Sequence, residues 1–121
     1  MQSKKSGHSI NLEQVLAHVD GDQELLAELT VMFIEDYPRL LMELKGSITQ
    51  NDPSAVERIA HTLKGRLAFF GITNGTVRAT ELEDMGRSSD LAGAPKALVA
   101  MENALEAVLS EFKLLFQNRG K

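Results

Sequence analysis

His61, Lys64 and Gly65 are the residues of this chain whose types and spacing suit a chemical step. An imidazole has an unperturbed pKa of about 6.5, so at neutral pH one ring nitrogen keeps a lone pair and can act as a nucleophile. A lysine three residues further along a helix lies one turn away on the same side, where its ammonium can meet anionic oxygens placed on the ring. A glycine inside a helix costs about 1 kcal/mol relative to alanine, which is accounted for if something must come close to the backbone there. A nucleophile, a cation and room for another molecule suit the receipt of a phosphoryl group. A surface histidine and lysine beside a helix defect fit the same spacing, and spacing alone leaves both readings open.

The face these residues occupy follows from helical geometry. With Leu63 at zero and about 100° per residue, Val56, Ile59, Leu67 and Phe70 fall within about 40° of it and form a buried stripe. His61 falls about 160° away, on the solvent side, together with Gly65, Ala68 and Ile72. Solvated helix faces normally carry Glu, Lys and Gln. A face of small and apolar residues reads instead as a docking surface, with Gly65, Ala68 and Ile72 as contacts. Phe69, about 120° round, either adds an apolar contact to that surface or packs against a neighbouring helix, and packing is slightly preferred. Arg87 can meet an acidic partner, or it can simply complement a helix dipole.

The elements that must position this face are helical almost throughout. A short first helix starts at the cap Asn11 and carries Leu12, Val15, Leu16 and Val19. Asp20-Gly21-Asp22 breaks it. A long second stripe runs through Leu25, Leu29, Phe33, Tyr37, Leu40, Leu44 and Ile48, and Pro38 should kink or split it near Asp36. Asp52 caps and Pro53 opens the third helix, which Gly71 can end. A fourth, roughly from Asn74 to Ser88, is weakened by Gly75 and Thr76. The last is the clearest, with Leu98, Met101, Leu105, Val108, Phe112 and Leu115 on one face. The expected fold is all-α: an antiparallel up-down-up-down four-helix bundle over residues 11–118 with a short extra N-terminal helix. Residues 1–10 read as a disordered tail, a linker or an added remnant, and 119–121 as a C-terminal tail.

Composition bounds the function. The 121 residues hold 43% hydrophobic and 25% charged residues, an ordinary globular balance for one domain. Thirteen basic against seventeen acidic residues give a net charge of −4 and argue against nucleic-acid binding. The chain has no cysteine, which excludes disulfides, thiolate metal sites and cysteine nucleophiles. It has no membrane-length apolar run and no signal peptide, so a cytoplasmic location without membrane contact is expected. Glu57 and His61 are four apart, but a carboxylate-bundle metal site needs Glu-x-x-His on two helices, and none is present. His8 and His18 are neither ligands nor nucleophiles on this reading.

Ala60-His61-Thr62-Leu63-Lys64-Gly65 resembles the signature of the histidine-containing phosphotransfer (HPt) family: histidine, two residues, lysine, glycine, and a further glycine ten after the histidine, here Gly71. Leu82-Glu83-Asp84-Met85-Gly86-Arg87 resembles the end of that family's following helix, and Gly21-Asp22-Gln23-Glu24-Leu25-Leu26 its lead-in to the long helix. The similarity extends over about residues 11 to 116. It implies a phosphorelay intermediate of two-component signalling. His61 would take a phosphoryl group from a receiver-domain aspartate through its outer ring nitrogen and pass it to another. Lys64 would steady the oxygens, and Gly65 would admit the receiver. The resemblance further implies no kinase activity, no cofactor on this chain, Mg2+ in the receiver, and partners among response-regulator receivers or a hybrid sensor kinase. Arg66, Leu67 and Phe69 depart from the small or polar residues usual after the glycine, and Gly75 and Arg78 from commonly apolar positions. A monomer is expected, whereas the dimerisation helices of a sensor kinase, the first alternative, would form a dimer and carry an acidic residue where Thr62 stands. The second alternative is a non-catalytic helical adaptor.

Overall fold

The stripes read from the sequence close on one another. The computed structural model describes residues 12–119, with the side chains of 13–111. Asn11, the side chains of Leu12, Phe112 and Leu115, and the expected tails other than Arg119 lie outside these bounds. Five helices follow in order: α1 Leu12–His18, α2 Gln23–Thr49, α3 Pro53–Phe69, α4 Thr73–Arg87 and α5 Ala94–Arg119. The described residues contain no strand. Short connections make sequence neighbours antiparallel, so α3 packs on α2 and α4, α4 packs on α5, and α5 returns to α2. This is the expected four-helix bundle. At one end α1 is tied to α3: the His18 ring lies 5.0 Å from that of Phe69 and its Nδ1–H donates to the Phe69 carbonyl at 2.9 Å.

Helix α3 starts and stops where its residues dictate. The Asp52 carboxylate accepts from the Ala55 N–H at 3.2 Å, and Pro53 takes the first turn, where an N–H has no helical partner. Gly71 ends the helix with φ +69°, a left-handed value that glycine adopts without a side-chain clash. The Gly71 and Ile72 N–H groups then donate to the carbonyls of Ala68 and Leu67, each at 3.0 Å.

Several expectations are corrected. Helix α2 is not split near Asp36; it continues through Pro38, which lies on its exposed side, where water can serve the released carbonyl. Leu25 is exposed and Leu26 is buried, because a stripe stepping back from Leu29 can step by four or by three. Helix α4 begins at Thr73 despite Gly75, whose bareness is used: a Cβ there would stand 3.2 Å from Ile72 Cγ2 and 3.3 Å from Leu67 Cδ1.

Gly86 sets the spacing of α3 and α4. A Cβ at this position would meet the Glu57 nitrogen at 2.5 Å and the Pro53 carbonyl at 2.7 Å. Both are backbone atoms, so no side chain can yield. Gly86→Ala is expected to lower stability by about 1–3 kcal/mol, read by urea unfolding. A change below about 0.5 kcal/mol would mean that the two helices part freely.

Candidate functional site

Four residues carry the site, two from α3 and two from α4. The buried positions of α4 include Ala79, Leu82, Glu83 and Gly86, so a glutamate occupies its inner face. Glu83 is 4% exposed, and an isolated carboxylate would not be tolerated there. It is not isolated. Its Oε1 accepts from Lys64 Nζ at 2.6 Å and its Oε2 meets His61 Nδ1 at 2.8 Å. Arg87 NH2, one turn further along α4, reaches Oε2 at 3.3 Å. Gly86 lies between Glu83 and Arg87 in sequence, and the close approach it allows brings this carboxylate up to α3.

The protonation states follow. The Lys64 ammonium holds the Glu83 carboxyl below the ordinary glutamate range; burial pushes the other way and is outweighed, with the His61 ring helping. Glu83 is therefore ionised at neutral pH and can only accept hydrogen bonds. His61 Nδ1 must then carry the proton it donates. In the neutral ring this leaves the lone pair on Nε2. The His61 side chain is 67% exposed although its other nitrogen is anchored on a buried group.

Gly65 is exposed, and a Cβ built on it would meet nothing within 4 Å, so the space above it is open. Ala68 is exposed beside it. Ile72 is not on this face: it is fully buried, because α3 stops at Phe69 and the turn through Gly71 carries the chain away from the helical extrapolation. Phe69 is a packing residue, set against His18 and edge-on to Phe70 at 5.0 Å. Lys64 does not stand free, being paired with Glu83. Arg66 is paired across to Asp36 of α2 at 2.7 Å. Arg87 bridges Glu57 at 3.4 Å and Asp84 at 2.8 Å as well as Glu83. The anchoring role of Glu83 was not deduced from the sequence; a charged residue at the apolar spacing of Ala79, Leu82 and Gly86 was the available signal. Among the described residues no group of His, Asp and Glu is arranged to hold a metal.

The model of the Hpt domain family matches residues 28–111. The chain belongs to the Hpt domain family. Its role is histidine phosphotransfer in phosphorelay signalling. Two solved structures share the fold. The crystal structure of histidine-containing phosphotransfer protein B from Pseudomonas aeruginosa PAO1 is 23% identical, with a TM-score of 0.84 over 90% of this chain and 95% of that one. The HPT domain from the Hpt sensor hybrid histidine kinase from Shewanella is 18% identical, with a TM-score of 0.79 over 93% and 97%. Comparison with curated proteins gives no match. No helix among the described residues is long and apolar enough to cross a membrane.

The Glu83 anchor has a pH signature. Its folded pKa lies below the ordinary 4.5, so its contribution to stability is present above that value and is lost as pH falls through the folded pKa. Glu83→Gln keeps the shape and removes the charge. The stability gap between wild type and E83Q is expected to narrow as pH drops from about 6 to about 3 in urea titrations. A gap independent of pH would contradict an ionised anchor.

Proposed function

We propose that His61 is the phosphoacceptor of this Hpt domain and that it works through Nε2. The observation that carries this reading is the ionised, buried Glu83 on Nδ1 of an exposed histidine. In the forward step the Nε2 lone pair attacks the phosphorus of a receiver's aspartyl phosphate. The N–P bond forms, the P–O bond to the aspartyl carboxyl breaks, and aspartate leaves as the carboxylate. The ring retains its Nδ1 proton and becomes cationic, so the Glu83 carboxylate stabilises the product more than the starting ring. Transfer to a second receiver reverses the step. Mg2+ belongs to the receiver's acidic site, and this chain acts as a carrier with no kinase activity of its own.

Lys64 has two roles on this reading. It holds Glu83 ionised, and its remaining N–H groups serve the phosphoryl oxygens. The receiver docks over Gly65 and Ala68. The Asp36–Arg66 pair joins α2 to α3 beside this face, and Met32, one turn before Asp36 and 61% exposed, supplies the apolar contact that Ile72 does not. A monomer suits the bundle, because α5 closes it against α2 within one chain. That closure also favours the carrier over a kinase's dimerisation helices.

His61→Gln is expected to abolish phosphate acceptance from a phosphorylated receiver while circular dichroism and unfolding stay near wild type. Full acceptance by that variant would contradict the assignment. Gly65→Gln is expected to keep or raise helix stability by up to about 1 kcal/mol and to weaken receiver binding at least tenfold in titration calorimetry. Unchanged binding would remove Gly65 from the docking face.

A further inference from the structure

Arg58 stands apart from the other cations around His61. It precedes His61 by one turn of α3, is exposed, and makes no ion pair among the described residues. Lys64, Arg66 and Arg87 are each engaged by carboxylates. Arg58 and His61 line one open groove of about 750 Å3, together with Ser54, Glu57 and Thr62. Arg58 and His61 are three apart on α3, so their side chains are neighbours on one side of the helix.

Charge makes this guanidinium matter. Asp52, Glu57 and Glu83 line this groove with His61, three negative charges against two positive charges from Lys64 and Arg87, which pair with Glu83 and Glu57. A phosphoryl dianion arriving on Nε2 enters surroundings that are already net negative. Arg58 is the neighbouring cation with no carboxylate to satisfy, and its planar fork matches phosphoryl oxygens. We propose that Arg58 binds the phosphoryl group carried on His61. The proposal rests on His61 as the acceptor.

The test removes the receiver, using phosphoramidate as phosphodonor with wild type, Arg58→Gln and His61→Gln. In this reaction the N–P bond to Nε2 forms and ammonia leaves. Phosphorylation of R58Q is expected to be slower by roughly threefold to tenfold. In 31P NMR titration the phosphoryl pKa of phosphorylated R58Q is expected to lie above that of wild type, because a nearby cation favours the dianion. Equal rates and equal titration in R58Q and wild type would overturn the proposal. So would a defect seen only with a receiver as donor, which would make Arg58 a docking contact. The His61 reading is judged separately: it fails if H61Q gives the same phosphohistidine signal as wild type.

Discussion

A carboxylate buried between two helices cannot be left alone, and the site of this protein is organised around that constraint. Glu83 sits on the inner face of α4 at 4% exposure. Its charge is tolerated because Lys64 and His61 reach it from α3 and Arg87 from its own helix. Satisfying the carboxylate also prepares the chemistry. The proton that answers Glu83 is the one on Nδ1, and on the proposed reading fixing it there leaves Nε2 as the outward nucleophile. One buried charge thus links the packing of α3 on α4 to the reactivity of a solvent-facing ring.

The linkage depends on backbone spacing. Gly86 lets α4 approach the first turn of α3 to distances that a Cβ would forbid. Glu83 and Arg87 flank that contact on the same helix. Gly65 does the reverse on the outer side of α3, leaving open space rather than filling it. The two glycines therefore act in opposite ways: Gly86 lets two helices close on each other, and Gly65 leaves the outer surface open. Residue type does not tell them apart in the sequence; burial and the neighbouring atoms do, Gly86 being buried against α3 and Gly65 exposed.

Much of this was legible in the residues. The 3.6-residue period gave the five helices, and Asp52, Pro53 and Gly71 gave the limits of α3, because caps and breakers act locally. The outward face of His61, Gly65 and Ala68 followed from the same period. The errors lie where local geometry ends. Extending the period of α3 places Ile72 on the outer face, but the chain has already turned at Gly71. Pro38 is expected to kink or split α2; the helix is not split, because buried residues on both sides of Pro38 hold it in the bundle. The anchoring role of Glu83 was missed because it is a contact between α3 and α4, and periodicity within one helix does not report what the next helix presents. The pairing of Arg66 with Asp36 escaped for the same reason.

If Glu83 fixes the reactive nitrogen, the position of phosphorus on the ring reports it directly. Phosphorylation of 15N-histidine-labelled protein by a receiver, followed by NMR detection of nitrogen–phosphorus coupling, locates the bond. Phosphorus is expected on Nε2 of His61, with Nδ1 still protonated. Phosphorus on Nδ1, or on a residue other than His61, would contradict it.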